Sequence, residues 1–151
     1  MSAEENKAIV RRVFEEVVNQ AQLATADELF TPEFVGYTAG VAGQVRGPEG
    51  LKQFVTTFRA AFPDLRLSIA DQVAEGDKVV TRYTITGTHH GPLQGIPATE
   101  KRVSWTGITI HRLADGKLAE AWVNLDMLGL LQQVGGMPGP DAAGDQPATI
   151  R

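Results

Sequence analysis

Glu120, Trp122, Asn124 and Asp126 alternate along one short stretch and end in a carboxylate, which makes this the part of the chain best suited to chemistry. If that stretch is a strand, one face carries all four. A carboxylate held against Trp122 and apolar walls loses solvation, which raises its pKa toward the range of a general base. Asp126 also precedes the apolar run Met127–Leu131, and Asp ahead of such a run is a common helix N-cap. Both readings of Asp126 stay open at this point. His89 and His90 are adjacent, so on extended chain they face opposite ways, and either one could pass a proton to a substrate oxygen or simply be an exposed loop residue. Trp105, Trp122, Asn124 and Tyr37 could line a pocket, with core packing as the plainer alternative for the aromatics. Arg82 could bind an anionic group, pair with a carboxylate or lie exposed. His111, near the end of its strand, reads as a surface residue. With three His and no Cys, a metal site is not expected.

Composition removes other classes of function. The chain has 151 residues, 42% hydrophobic and 21% charged, with 14 Lys and Arg against 18 Asp and Glu, for a formal net charge of −4. That is one domain's worth of chain, able to bury a core without disulfides. No cluster of Lys and Arg offers the basic face that nucleic acid or anionic lipid requires. No apolar run approaches the roughly 20 residues of a membrane span. The first residues are acidic and lack a signal-peptide core, so the expected location is cytoplasmic.

The elements that must position these residues follow from periodicity. Ser2 and Glu5 form a capping box, and Val10, Val13, Phe14, Val17 and Val18 share a helical face, which predicts a helix from about Ala3 to Gln20. Thr25 and Glu28 repeat the cap ahead of a short helix stopping at Pro32, and a short strand follows at Phe34–Tyr37. Pro48 opens a third helix, whose apolar stripe Leu51, Phe54, Val55, Phe58 and Phe62 ends at Pro63. The period then becomes two. Strands are predicted around Leu65–Ile69, Val79–Ile85, Val103–His111 and Leu118–Asp126, with turns at Glu75–Asp77 and Asp115-Gly116 and a Gly/Pro-rich loop from Gly87 to Glu100. Helices first and hairpins later predict an α+β domain over residues 1–134, with a pocket between helices and twisted sheet. Residues 135–151, with four Gly and three Pro, read as a tail.

Several segments, taken together and in order, resemble the SnoaL-like polyketide cyclase (ester cyclase) family. They are Phe62-Pro63-Asp64-Leu65, Glu75 through Val80, Gly87-Thr88-His89-His90-Gly91, Gly95-Ile96-Pro97, Asp115-Gly116-Lys117-Leu118, and Trp122 through Asp126 to Gln133. The resemblance spans about Asn6 to Val134. It implies the nuclear-transport-factor-2-like cone, with three N-terminal helices packed on a strongly curved antiparallel sheet around an internal pocket. It also implies a homodimer through sheet packing, no metal and no organic cofactor. Family members close a ring by intramolecular aldol condensation with one carboxylate as acid and base, and that carboxylate resembles Asp126.

The expected function is therefore proton transfer on a small apolar or aromatic carbonyl ligand, with Asp126 and His89 as catalytic groups. Trp105, Trp122, Asn124, His90, Tyr37 and Arg82 would bind the substrate. The alternatives are a non-catalytic small-molecule-binding dimer, or an isomerase or epoxide hydrolase on the same fold.

Overall fold

The computed structural model describes residues 2–39 and 43–136, so most of the expected tail, 137–151, lies outside the described residues. Ser2 caps helix α1 (Ala3–Arg12) as its sequence predicts: its hydroxyl accepts from the Glu5 amide at 3.0 Å, and the Glu5 carboxylate accepts from the Ser2 amide at 3.1 Å. The helix then widens into a π-helical stretch, Val13–Asn19, instead of continuing as α-helix to Gln20. Val13, Phe14 and Val17 remain buried through this change. The widened turn delivers Asn19 to the edge of the sheet, where its side chain accepts from the Leu67 amide at 2.7 Å and donates to the Leu67 carbonyl at 2.9 Å.

Helix α2 (Thr25–Leu29) ends earlier than Pro32 because Phe30 is already extended, at φ −112° and ψ 143°. Phe30 starts strand β1 (Phe30–Thr38), which is longer than the sequence predicts. Its pairing slips between Phe30 and Val35, and Pro32, which has no amide for a ladder bond, sits in that slip. Strand β2 (Gln44–Arg46) leads into α3 (Gly47–Ala61), with Pro48 in its first turn. Strands β3 (Arg66–Glu75), β4 (Lys78–Thr88), β5 (Arg102–Ala114) and β6 (Lys117–Leu125) follow, and α4 (Met127–Gln133) closes the described chain.

The strands form one six-stranded sheet in the order β2-β1-β6-β5-β4-β3. It is mixed: β1 pairs parallel to β6, and every other pair is antiparallel. Register shifts in the β1–β6, β3–β4 and β5–β6 pairs add twist and bend the sheet around α1, the π-helical stretch and α3. Asp64 fastens the end of α3 to β4, accepting from the Thr88 amide at 2.7 Å and the Thr88 hydroxyl at 2.8 Å, and these bonds hold its carboxyl below the usual range. Val10, Val17, Phe30, Phe62, Val79 and Trp105 are fully enclosed, so the core lies between helices and sheet.

Candidate functional site

The sheet presents its inner face in three rows, because partners across antiparallel strands point the same way. Tyr83, Gly107 and Leu125 form one row; Thr81, Thr109 and Val123 the next; Val79, His111 and Ala121 the third. Gly107 is required by its neighbours: a Cβ there would lie 2.6 Å from Tyr83 Cε1 and 2.8 Å from Leu125 Cδ2. The space it leaves lets the Tyr83 ring approach β5, where the Tyr83 and Thr109 hydroxyls are hydrogen-bonded at 2.8 Å.

Over these rows lie Val13, Phe14 and Val18 of the π-helical stretch and Phe54, Val55 and Phe58 of α3, enclosing a cavity of about 110 Å³ that opens to solvent at its mouth. Its walls are almost wholly apolar, as those of small-molecule sites are. The polar atoms belong to Thr38, Arg59, Tyr83, Thr109 and His111. Arg59 is committed to backbone carbonyls, donating to Val18 at 3.0 Å, Leu65 at 3.2 Å and Pro63 at 3.1 Å. Burial raises the Tyr83 pKa, although its bond to Thr109 opposes the shift.

His111 is not a surface residue. It is 4% exposed, and burial alone lowers its pKa from 6.5 to about 4, so it is neutral at pH 7. The strand continues three residues past it to Ala114, which places it inside the sheet. Phe14 meets its ring edge-on at 5.8 Å.

The residues singled out from sequence fall in three other places. Arg82, Asn124 and Asp126 come together around a shallow groove on the opposite face of the sheet, with Thr84, Thr106 and Ile108. There Arg82 pairs with Asp71 at 3.0 Å. The Asp126 carboxylate is exposed and caps α4, accepting from the Gly129 amide at 2.9 Å. Tyr37 and Trp122 share the outer face with this groove and stack at 6.1 Å, 17° from parallel. Beyond the end of the cavity, His89 and Trp105 are buried against Phe62, at ring distances of 5.7 and 4.9 Å. His89 Nδ1 lies 2.9 Å from the Thr99 hydroxyl and 3.3 Å from the Thr99 amide. His90 is exposed and pairs with Glu100 at 2.9 Å.

None of these expected site residues lines the cone cavity. The physical reason is the direction of alternation on β6: Ala121, Val123 and Leu125 turn inward, so Trp122, Asn124 and the polar series with them turn out. Tyr83, Thr109 and His111 are what the sequence reading missed. Their signal was their shared period with Val79, Ile85 and Trp105, which marks the covered face.

A cone of this topology around an apolar cavity defines a class of protein, and comparison with known proteins places the chain within it. Residues 8–134 match the family model described as SnoaL-like polyketide cyclase. The nogalonic acid methyl ester cyclase of Streptomyces nogalater is 30% identical over 130 residues, which are 85% of this chain and 96% of that protein. The aklanonic acid methyl ester cyclase DnrD of Streptomyces peucetius is 33% identical over 105 residues, 69% of this chain and 72% of the relative. The structure of TsrD from Streptomyces laurentii superposes with a TM-score of 0.80 at 31% identity, over 91% of this chain and 99% of that one. The chain belongs to the SnoaL-like polyketide cyclase family.

Proposed function

We propose that the protein is an enzyme that closes a ring by aldol-type proton transfer on a small, largely apolar carbonyl substrate held in the cone cavity. The observation that carries this reading is the cavity, with apolar walls and a small polar patch at Tyr83, Thr109 and His111. Apolar walls hold a flat polyketide by burial and orient its two reacting carbons, and orientation supplies much of the acceleration an intramolecular condensation needs. The curated relatives are named as cyclases of nogalonic and aklanonic acid methyl esters, which supports an ester of this type as substrate.

The test is incubation of the protein with each of these two methyl esters and separation of products by chromatography with mass detection. Ring closure by aldol addition gives an isomer of unchanged mass with a new retention time. Ester that binds and is recovered unaltered would replace the enzyme reading with that of a carrier. Outward-facing Tyr37 and Ile108, 36% and 47% exposed, support association of two copies through the outer sheet face.

A further inference from the structure

We propose that His111 is the group that takes a proton from the substrate and returns it in the cone cavity; this rests on the reading of that cavity as a site of proton transfer.

Among the described residues that line the cavity there is no Asp and no Glu. Three titratable side chains remain: Arg59, Tyr83 and His111. Arg59 carries only donors, and these are bound to backbone carbonyls. The Tyr83 hydroxyl is paired with Thr109 and is held in its protonated form by burial. His111 is left as the one lining group with a nitrogen lone pair free at neutral pH.

Its surroundings leave it available. No hydrogen bond joins either ring nitrogen to another described residue, and Nδ1 is fully enclosed without a partner. Neutral imidazole carries one donor and one acceptor nitrogen; with Nδ1 enclosed, Nε2 is the nitrogen that the ring can present to whatever fills the cavity. Its flanking partners across the sheet are Val79 and Ala121, and Phe14 covers its edge, so among these neighbours no charged group stabilises an imidazolium. A substrate enolate formed beside the ring would supply that missing charge.

The step balances without any added reagent. The imidazole lone pair takes a proton from the carbon between two carbonyls, and the C–H electron pair enters the enolate. The enolate carbon bonds to the second carbonyl carbon, whose π pair becomes an alkoxide. The alkoxide takes the proton back from the ring nitrogen. Substrate and product are isomers and His111 ends as it began.

The probe is methyl 3-(2-naphthyl)-3-oxopropanoate, an aryl β-keto ester. Exchange of its central hydrogens is followed by proton NMR in deuterated buffer, and its binding by calorimetry. The wild type should accelerate exchange over buffer, while His111→Gln should bind the probe within about threefold and lose roughly a hundredfold or more of the acceleration, the scale of general-base catalysis. His111→Gln that exchanges the probe at the wild-type rate overturns the proposal. A folding defect in that variant is met by a wild-type measurement: in ¹⁵N-imidazole spectra, saturation with the probe should move the His111 resonances and leave those of His90 in place. His111 resonances unmoved by saturating probe overturn it as well. Ring closure of the nogalonic or aklanonic acid methyl ester by both wild type and His111→Gln would remove His111 and leave the cyclase reading standing.

Discussion

Acid should weaken this protein through His111 before it acts through the carboxylates, and the size of the effect follows from burial. The imidazole pKa drops from 6.5 to about 4 on folding, a difference worth about 3 kcal/mol at 1.36 kcal/mol per pH unit. The folded state resists the proton and the unfolded chain accepts it. Stability from this group is therefore complete above about pH 6.5, falls by about 1.4 kcal/mol per unit as pH drops toward 4, and levels off below. Glu5, Glu16 and Asp64, with pKa values lowered by hydrogen bonds, lose their own contributions as pH falls through the carboxylate range. They do so in any variant that keeps them. The comparison is accordingly between wild type and His111→Phe, which keeps an aromatic ring against Phe14 and cannot titrate. Urea unfolding at half-unit steps from pH 7.5 to 4.5 gives both stability curves. The difference between them should be flat above pH 6.5 and tilt against the wild type below it. About 3 kcal/mol is a large part of the roughly 5–15 kcal/mol that holds a domain together, so the midpoint should move by about 1–3 M urea. Parallel curves down to pH 5 would refute the argument, because they would mean that the cavity hydrates an imidazolium as well as water does.

Two further outcomes test the frame around the cavity. Asn19→Ala removes both bonds to the Leu67 backbone and should cost about 2 kcal/mol in urea unfolding, near 1 kcal/mol for each bond; a loss under about 0.5 kcal/mol would show that the π-helical stretch docks without them. Ile108→Lys places a charge in the outer sheet face and should convert a dimer to a monomer in light scattering with unchanged circular dichroism; a dimer that survives it would move the interface elsewhere.

The sequence shows the helices and hairpins plainly, because each signals over a few residues. The capping box at Ser2, Pro48 at the start of α3 and the two-residue period of β4 and β5 are local patterns, and the structure follows them. Pairings between distant segments are not written that way. Nothing in Phe30–Thr38 says that it lies parallel to β6, nor that Pro32 sits where that pairing slips. The site depended on such a pairing. Alternation divides β6 into two faces, and the polar face attracts attention because its side chains can do chemistry. The helices, however, cover the apolar face, as the hydrophobic effect requires, and the cavity opens there beside Ala121, Val123 and Leu125. His111 shares the inward period of Trp105 and Thr109 and lies three residues before the end of β5, so the same rule applied to β5 points it inward.

An unpartnered polar atom is not evidence of function by itself, and this fold contains the comparison that shows why. His89 Nε2 and Trp105 Nε1 are also buried without partners. A buried atom in this condition costs on the order of 1–3 kcal/mol. His89 and Trp105 are locked into the packing around Phe62, and neither borders the cavity, so no ligand in the cone can relieve that cost. His111 incurs the same kind of cost at a wall of the cavity. Under the proposal above, a substrate that reaches the ring from the cavity meets Nε2, and the enolate it becomes lies beside the imidazolium that forms, an attraction that does not exist before the proton moves. An interaction that strengthens along the reaction lowers the barrier, whereas one equally strong throughout improves only binding. The apolar walls serve the same end, since excluding water strengthens the attraction between the imidazolium that forms and the charge developing on the substrate.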